Sequence, residues 1–483
     1  MWKKWKRLIE KNEGIILLLL LVVILRIPSL FEPYWYGDEG IYLVLGQALR
    51  KGLVFYRDIH DNKPPLLYVL AAIAGNVFWF RAMLMVWFGA AVVVFLKLTK
   101  VFWPKSKYLG YGLTLVMIGL TTFFEGNVAN AEIFIVLPVT LAMFLTVKGK
   151  SWLKIGLLFS VGFLLKVPAV FDLVALIIWL GIFEKDSLKK VVLSIVDKRI
   201  WAVILGFSLP IAVSIGYYAI VGGLEPYVRS ALFQNIGYLS TWGGSDSGLM
   251  PRFGITAMAL GILLWMSRRY KFSRWVSLNL VWFLMALFGA LLSGRPYPHY
   301  LIQPAVPAVL LLGVLIKSKK WSLRLAIIGV LLLSGFWWWQ IKFWSYPLAA
   351  YYVNFEQYIT KQKSLEEYRN YFDPRVNQVY NLAKYIKETT NPDDRVFIWG
   401  DEPGVYALAD RLPVGRYTVA YHVIDFNGYE ETMKAWDELP PRVVMVMDYE
   451  QREFAQLQIK LATDYVFAGK IDQASIYRLL ENK

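Results

Sequence analysis

Long apolar runs separated by short polar segments dominate the part of the chain before residue 340. A helix needs about 20 consecutive apolar residues to cross a bilayer. Runs that approach or reach this length lie at 14–31, 82–102, 108–124, 131–147, 153–167, 168–183, 201–221, 254–267, 275–293, 300–316 and 321–339. The pattern therefore predicts about eleven transmembrane helices, and an odd number places the two ends of the spanning region on opposite sides of the membrane.

A further apolar run, Pro64–Phe80, lies between the first two predicted spans. Basic residues in short loops are retained on the cytoplasmic side of a membrane. If Pro64–Phe80 were a full span, the basic residues at 97–107 would lie outside the cytoplasm, against that rule. We therefore predict that Pro64–Phe80 is an external helix partly embedded in the membrane.

The distribution of Lys and Arg predicts the orientation of the chain. Basic residues precede the first span and recur at 97–107, 148–154, 185–199, 268–274 and 317–324. These clusters mark the cytoplasmic side, so we expect a cytoplasmic N-terminus and an extracytoplasmic C-terminal region. No small-residue cleavage site follows the first apolar run, which favours an uncleaved anchor over a signal peptide. The expected location is the plasma (inner) membrane, crossed several times.

From about residue 375 the pattern changes to that of a small α/β domain. Helices are predicted at Val376–Glu388 and Gln451–Leu461, and strands at Arg395–Trp399, Val443–Met447, Tyr465–Phe467 and Ile476–Leu480. The segment 341–374 is rich in Tyr and Trp and is predicted to be a linker along the membrane surface. The predicted fold class is a polytopic α-helical membrane protein, with a membrane module at 1–340, a first external loop at 32–81 and an external α/β domain at 375–483.

Composition and charge agree with this division. Hydrophobic residues make up 57% of the chain and charged residues 18%. Residues 1–354 carry 36 basic and 15 acidic side chains, whereas 355–483 carry 16 and 21. The net charge of +16 therefore reflects membrane topology and does not indicate nucleic-acid binding. The absence of cysteine excludes disulfides, thiolate catalysis and thiolate metal sites.

Candidate chemistry is concentrated on the predicted outer side of the membrane. The acidic pair Asp38-Glu39 follows the first span in a polar loop that also contains His60 and Lys63. A half-buried carboxylate there can act as a base, although an isolated Asp-Glu pair is more often a solvated loop feature. Further polar residues on the same side are Glu125, Asn127, Asn130, Glu132, Lys166, Arg295, His299 and Tyr300.

Several of these side chains have a structural alternative. Lys166 can extend to lipid head groups, Arg295 can anchor to lipid phosphate, and His299 can be a satisfied interfacial histidine. Charged groups at membrane depth are costly, so their recurrence on one side indicates a functional site. Asp401-Glu402 precedes a Pro-Gly turn and is open to two interpretations, an acceptor-binding segment or a solvated strand-to-helix loop with acidic residues that favour a helix N-terminus. The second is favoured.

The order of these motifs resembles that of the GT-C membrane glycosyltransferases, specifically the group of protein O-mannosyltransferases and aminoarabinose transferases. The resemblance rests on the acidic pair after the first span and on Lys63–Leu66, Gly126–Glu132, Leu165–Pro168 and Arg295–Tyr300. It covers roughly residues 1–316 in order and topology. Trp399–Gly404 also resembles a segment in the exported domains of bacterial relatives.

This resemblance implies transfer of a sugar from a polyprenyl-phosphate-linked monosaccharide to an acceptor outside the cytoplasm. Such a reaction needs a base for the acceptor hydroxyl and cations for the departing phosphate. Asp38 is expected to be the base in an inverting attack, with Glu39 positioning it. The expected partners are the lipid-linked donor, membrane lipid and an acceptor protein, lipid or cell-surface glycan.

The resemblance also implies roles for the other polar residues. The candidates for binding the donor phosphate are Lys63, Lys166, Arg295, His299 and Tyr300, and those for binding the sugar or acceptor are Glu132, Asn130 and His60. Many relatives have Asp where this chain has Glu132. No cofactor is assigned: a divalent metal is an alternative that Asn62 disfavours, because some relatives carry an acidic residue or histidine at that position. His60 and Asp61 alone do not make a metal site.

Two other classes of protein remain open. A lipid or solute transporter would also have many spans, but it is expected to show repeated halves and broken helices near the membrane midplane, and no repeat is evident. A non-catalytic scaffold that displays the C-terminal domain would not need Asp38 or Lys63.

Overall fold

The computed structural model describes residues 2–185, 191, 193–234 and 249–480, with side chains from residue 12 onward except at Leu193. Its first part is helical, with short 3₁₀ or π turns at Val167–Ala169, Trp179–Phe183, Leu193–Val196, Arg229–Phe233 and Pro298–Leu301. The helices are α1 (Trp2–Phe31), α2 (Gly37–Arg50), α3 (Leu66–Ala74), α4 (Val77–Phe102), α5 (Lys107–Phe123), α6 (Ala131–Val147), α7 (Trp152–Leu165), α8 (Val170–Ile178), α9 (Lys198–Ile220), α10 (Leu224–Val228), α11 (Leu249–Arg269), α12 (Arg274–Leu291), α13 (Ile302–Lys317) and α14 (Trp321–Ile341).

Seven of the helices in the described ranges are long and apolar enough to cross a membrane. They are α1, α4, α9, α11, α12, α14 and the combined segment Pro298–Lys317. The other four predicted spans coincide with shorter helices: α5, α6, α7 and the segment Val167–Phe183. The chain is therefore a multi-pass helical membrane protein, as the hydropathy pattern predicts.

The C-terminal part combines helices with one sheet. Its helices are α15 (Leu348–Ile359), α16 (Leu365–Asn370), α17 (Val376–Thr389), α18 (Pro403–Ala409), α19 (Ala420–Asp425), α20 (Tyr429–Glu438) and α21 (Ala455–Asp464). Its strands are β1 (Arg395–Trp399), β2 (Leu412–Pro413), β3 (Val443–Met447), β4 (Tyr465–Ile471) and β5 (Ala474–Leu479). The order in the sheet is β2-β1-β3-β5-β4, with β1 parallel to β2 and β3, and β5 antiparallel to β3 and β4.

The sequence pattern locates six of these twelve elements, namely α17, α21, β1, β3, β4 and β5, and it misses α18, α19 and α20. Strands β1 and β3 begin and end at the predicted residues, because each is a short apolar run between polar residues. The helix predicted at Gln451–Leu461 instead spans Ala455–Asp464. The two-residue strand β2 was not predicted. The segment predicted as a linker contains α15 and α16, and a capping box formed by Ser364 and Glu367 begins the second of these helices.

The prediction of a polar loop around Asp38 is wrong. Asp38 and Glu39 occupy the first turn of α2, where acidic side chains interact favourably with the helix dipole. Gly40 and Gly46 lower the helix propensity of this segment, which explains why the sequence does not indicate a helix. Both glycines are needed for packing: a Cβ at Gly40 would lie 3.0 Å from the Gly404 nitrogen, and one at Gly46 would lie 2.7 Å from the Ala72 nitrogen.

The apolar run Pro64–Phe80 is not one helix. Helix α3 ends at Gly75, whose φ of 81° belongs to the left-handed region that glycine adopts readily. Helix α4 then begins at Val77, five residues before the predicted start of the second span. Only the part of the run up to Ala74 is therefore a separate helix.

The chain divides into two compact units. The first comprises Met1–Ile27, Met83–Gly216 and Phe233–Pro347, and its core includes α12, in which every residue from Ser277 to Leu291 is buried. The second comprises Pro28–Ala82, Tyr217–Leu232 and Leu348–Lys483. The second unit thus joins the segment that carries Asp38 and Lys63 to the C-terminal sheet domain. The predicted boundaries near 340 and 375 stay predictions.

Candidate functional site

Asp38 and Lys63 form an ion pair within the second unit. The Lys63 Nζ lies 3.5 Å from the Asp38 Oδ2, and the two side chains are 18% and 36% exposed. The Tyr42 hydroxyl, one helical turn after Asp38, donates a hydrogen bond of 2.9 Å to the same Oδ2. The structure therefore brings together the proposed base and one of the proposed phosphate-binding cations, and it leaves the carboxylate partly accessible.

Asp61 fixes Lys63 from a second side. The Asp61 carboxylate is buried, and its Oδ2 lies 3.7 Å from the Lys63 Nζ. The Tyr68 hydroxyl donates a hydrogen bond of 2.7 Å to the same Asp61 Oδ2. The Lys63 ammonium also lies 5.0 Å from the centre of the Tyr42 ring. Sequence reasoning considered Asp61 only as a metal ligand, so its contact with Lys63 was missed.

Glu39 is held in a buried ion pair. Arg81 contacts both of its carboxylate oxygens, with 2.8 Å between the Arg81 Nε and the Glu39 Oε1. The Arg81 Nη1 also lies 2.9 Å from the Glu32 Oε2 and donates to the Ser29 carbonyl oxygen at 2.8 Å. Glu39 is therefore engaged in anchoring the first turn of α2. Arg81 was missed, although an arginine in an apolar run is itself a signal of a specific partner.

His60 and His422 are buried against each other in the second unit. Their rings are nearly perpendicular, with centroids 5.7 Å apart, and the His60 Nδ1 lies 3.2 Å from the Ser230 Oγ. Burial lowers the pKa of His60 well below its ordinary value, and His422 lowers it further. Burial also lowers the pKa of His422, although Asp61 opposes the shift. Both rings are neutral at pH 7, and His60 has no exposed surface for direct contact with a sugar.

A second cluster of predicted site residues lies in the first unit. The Lys166 ammonium contacts Glu132, and the His299 Nε2 lies 3.8 Å from the same Glu132 Oε1. The His299 Nδ1 lies 2.8 Å from the Glu125 Oε2, and the Lys166 Nζ lies 4.4 Å from the centre of the Tyr300 ring. This arrangement combines two buried carboxylates with a lysine and a histidine.

The backbone around this cluster is held by specific contacts. Asn130 caps α6, accepting a hydrogen bond of 3.2 Å from the Ile133 nitrogen, which places Glu132 in the first turn. Glu125 has a positive φ of 63°, and a Cβ at Gly126 would lie 2.4 Å from the Thr121 oxygen. Asn130 therefore has a structural role as a helix cap, and its role in sugar binding stays a prediction.

The break between α7 and α8 positions Lys166. Its backbone is extended (φ −159°, ψ 129°), and a 3₁₀ turn that contains Pro168 follows. The buried Gln303 side chain donates to the Pro168 oxygen at 3.0 Å and to the Asp172 Oδ2 at 2.8 Å. The Trp282 indole donates to the Asp172 Oδ1 at 2.6 Å. These polar contacts inside the membrane region were not identified from the sequence.

Arg295 lies four residues before His299, in the segment between α12 and the 3₁₀ turn Pro298–Leu301. Its side chain is half-buried, and its backbone nitrogen donates to the Ser293 hydroxyl at 3.3 Å. Within the described ranges, no group of three or more His, Asp or Glu side chains is arranged to hold a metal ion.

The Asp401-Glu402 segment joins β1 to α18 as predicted, but Glu402 is not solvated. Its side chain is 12% exposed, and burial raises its pKa to about 6. The Arg375 Nη1 lies 3.0 Å from the Glu402 Oε1, and the Tyr449 hydroxyl donates to the same oxygen at 3.1 Å. The Asp401 Oδ2 pairs with the Arg452 Nη2 at 2.7 Å. The loop is therefore held by ion pairs.

Glu402→Gln is expected to stabilise the protein increasingly as pH rises. The pKa of Glu402 is about 6 in the folded protein, against an ordinary value of 4.5. The contribution of the protonated carboxyl to the free energy of unfolding is therefore fully present below about pH 4.5, and it is lost as pH rises through 6. Glutamine does not titrate. The difference in thermal midpoint, variant minus wild type, should therefore increase between pH 4.5 and 7. A difference that is constant with pH would contradict this expectation, and the same substitution at the exposed Glu388 is the control.

The fold has solved counterparts. A crystal structure of ArnT from Cupriavidus metallidurans bound to undecaprenyl phosphate matches with a TM-score of 0.58 and 12% identity, covering 97% of this chain and 98% of ArnT. The apo structure of the same protein matches with a TM-score of 0.57 and 11% identity, covering 98% and 99%. ArnT is an aminoarabinose transferase of the GT-C class. The chain has the GT-C fold.

The GT-C fold confirms the fold class predicted from the sequence, including a C-terminal α/β domain. No protein-family model and no curated protein matches the sequence. At 11–12% identity the likeness establishes the GT-C fold alone. The roles of individual residues therefore depend on the geometry of this chain.

Proposed function

We propose that this protein is a glycosyltransferase that moves a monosaccharide from a polyprenyl-phosphate carrier to an acceptor hydroxyl on the extracytoplasmic face. The observation that carries the proposal is the pair formed by Asp38 and Lys63, a partly accessible carboxylate 3.5 Å from an ammonium. The similar ArnT structure bound to undecaprenyl phosphate supports a lipid-phosphate donor. Aminoarabinose, mannose and other monosaccharides are all candidate donor sugars.

In the proposed reaction, Asp38 removes the proton from the acceptor hydroxyl as its oxygen attacks the anomeric carbon. The new bond forms on the face opposite the phosphate, the bond between the anomeric carbon and the phosphate oxygen breaks, and the configuration inverts. The polyprenyl phosphate leaves with the bonding electron pair, and the proton stays on Asp38. A phosphate needs no strong general acid, so the leaving group requires cations to stabilise its charge.

Lys63 is the cation that accompanies Asp38 in the second unit. Its ammonium already has two carboxylate neighbours, Asp38 at 3.5 Å and Asp61 at 3.7 Å. A donor phosphate would compete for the same three N–H groups, and Asp38 would then be freed to accept the proton. In the first unit, Lys166, Arg295, His299 and Tyr300 stay predicted phosphate ligands, and Glu132 a predicted sugar or acceptor ligand.

The proposal is tested with purified protein in lipid nanodiscs and a panel of radiolabelled polyprenyl-phosphate monosaccharides. We expect turnover of at least one donor, measured as release of free polyprenyl phosphate and labelled product. Binding of undecaprenyl phosphate is measured on the same samples. If donors bind without turnover, a panel of acceptor hydroxyls is added. Failure of every donor to bind would overturn the proposal and favour the transporter or scaffold classes.

Lys63→Met is expected to lower kcat/KM for the donor by about 10–100-fold. A hydrogen bond to a charged group contributes about 1.5–3 kcal/mol, and methionine preserves the length of the side chain without the ammonium. Lys51→Met, at an exposed lysine of the same unit, should leave kcat/KM within a factor of two. Equal effects of the two substitutions would contradict a role for Lys63 in binding the phosphate.

A further inference from the structure

The C-terminal domain reaches the Asp38–Lys63 pair through one histidine. The His422 Nε2 lies 3.9 Å from the Asp61 Oδ1, and the other Asp61 oxygen lies 3.7 Å from the Lys63 Nζ. The Lys63 Nζ in turn lies 3.5 Å from the Asp38 Oδ2. These four side chains form a continuous polar series, which we call the His422–Asp38 series, from the sheet domain to the first turn of α2.

The C-terminal domain fixes the histidine end of this series. Helix α19 begins at Ala420, whose nitrogen donates a hydrogen bond of 3.0 Å to the oxygen of Gly400, the residue that follows β1. The backbone nitrogen of Tyr421, the next residue, donates a hydrogen bond of 3.1 Å to the Asp401 Oδ1. His422 follows directly, so its position depends on the carboxyl end of a central strand. A displacement of that strand would move the imidazole relative to Asp61.

The segment that carries Asp61 is bound to the same part of the domain. The His60 backbone nitrogen donates a hydrogen bond of 2.9 Å to the Arg416 carbonyl oxygen. The Arg416 guanidinium donates one of 3.2 Å to the Tyr56 carbonyl oxygen. These two hydrogen bonds, one between backbone groups and one from the Arg416 side chain, hold Tyr56 and His60 against Arg416. The His422–Asp61 contact is therefore part of a defined interface within the second unit and does not depend on mobile side chains alone.

The hydrogen bonding of His422 indicates more than packing. Its ring is buried, and its Nδ1 has no hydrogen-bond partner among the described residues. A buried polar atom without a partner is costly, so an apolar ring would suit a purely structural position better. The other ring nitrogen faces the Asp61 carboxylate. The charged groups that influence the imidazole are Asp61, Lys63, Asp425 and Asp38, and the neutral His60 ring lies beside it.

We propose that His422 is a positioning residue for sugar transfer, which acts through Asp61 to set how tightly Lys63 is held beside Asp38. This inference rests on the proposed function. With an N–H from His422 directed at Asp61 across 3.9 Å, the charge of that carboxylate is shared between the imidazole, the Asn62 backbone N–H, the Tyr68 hydroxyl and Lys63. Without the N–H of His422, the Asp61 carboxylate pairs more strongly with Lys63. The Lys63 ammonium is then drawn away from Asp38 and from an incoming phosphate.

The reactivity of the Lys63 amine can be measured without any sugar transfer. We would treat the full-length protein in nanodiscs with an amine-reactive N-hydroxysuccinimide ester and follow acylation of Lys63 and Lys51 by mass spectrometry. His422→Leu is expected to slow acylation of Lys63 by a factor of three or more, because tighter pairing with Asp61 reduces the free amine. His422→Gln, which retains an N–H donor, should restore the rate. Lys51 should react equally in all samples.

The kinetic consequence is measured with whichever donor the wild type turns over. His422→Leu is expected to lower kcat by about 5–30-fold with a smaller change in the donor KM, and His422→Gln to recover most of the loss. In an Asp61→Asn background, His422→Leu should add less than a twofold effect, because both substitutions interrupt the same series. Additive losses, with no rescue by glutamine, would show that the histidine is merely structural.

The two proposals fail in different ways. If no donor binds to the wild type, the proposed function is overturned, whereas the acylation rates still report whether His422 controls Lys63. If transfer proceeds but Lys63 reacts at the same rate in wild type and His422→Leu, the positioning role of His422 is overturned. Circular dichroism and the thermal midpoint of each variant exclude misfolding as the cause of slow acylation.

Discussion

Asp38→Asn is expected to reduce the rate of sugar transfer by about 10²–10⁴-fold, the usual contribution of a positioned general base. Asparagine has nearly the same shape and can still accept the hydrogen bond from the Tyr42 hydroxyl, so the first turn of α2 should be preserved. It cannot take a proton from the acceptor. The measurement is single-turnover transfer from the donor that the wild type uses, with product formation followed over seconds to hours.

Two further variants make the Asp38 result specific. Asp437→Asn removes an exposed carboxylate that pairs with Lys460 in the C-terminal domain, and it should leave the rate unchanged. Asp38→Glu retains a base but moves it by one methylene, so we expect a rate between those of the wild type and Asp38→Asn. Undecaprenyl phosphate should bind to Asp38→Asn at least as tightly as to the wild type. A rate for Asp38→Asn within threefold of the wild type would exclude Asp38 as the base.

Arg81→Met is expected to lower the free energy of unfolding by about 3–5 kcal/mol, the range observed when one partner of a buried ion pair is removed. Arg81 has no exposed side-chain surface and pairs with Glu39 and Glu32, both of them buried. Methionine would remove the guanidinium that pairs with both carboxylates in a low-dielectric environment. We expect a lower thermal midpoint and a smaller yield of folded protein.

The control for Arg81 is the same substitution at an exposed ion pair. Arg229 and Glu225 are 68% and 75% exposed and lie 3.9 Å apart, so Arg229→Met should change the free energy of unfolding by no more than about 1 kcal/mol. Replacing Glu32 and Glu39 by Gln in the Arg81→Met background should restore part of the loss. If Arg81→Met and Arg229→Met have equal thermal midpoints, the buried ion pairs are not what stabilises α2.

The sequence predicted the elements that depend on local pattern. Hydropathy located the seven described helices that are long and apolar enough to cross a membrane, because the bilayer imposes a length and a composition on each one. The four shorter helices stay predicted spans. Strands β1 and β3 were located because each is a short apolar run with polar neighbours. Helix α2 was missed because its two glycines serve tertiary packing, which overrides local propensity in the fold but is invisible in the pattern.

The candidate site was predicted in part. The sequence identified Asp38, Lys63, Lys166 and His299 as charged groups that needed an explanation at membrane depth. It did not reveal that Glu39 is neutralised by Arg81, which lies 42 residues later in the chain. Nor could it reveal the contact between Asp61 and His422, because that contact is set by the packing of the sheet domain. Pairings of this kind depend on tertiary structure alone.

The close approach of α2 to α18 has a consequence for natural variation. A Cβ at position 40 would meet the Gly404 nitrogen and the Pro403 ring, each at 3.0 Å, so there is no room for a larger residue at position 40. The first turn of α2 and the first turn of α18 are far apart in the chain, but this contact constrains their sequences together. Among homologues, a larger residue at position 40 should be accompanied by replacement of Pro403 or by a displaced start of α18. Chimeras that exchange the C-terminal domain between distant relatives should fail unless α2 is exchanged with it.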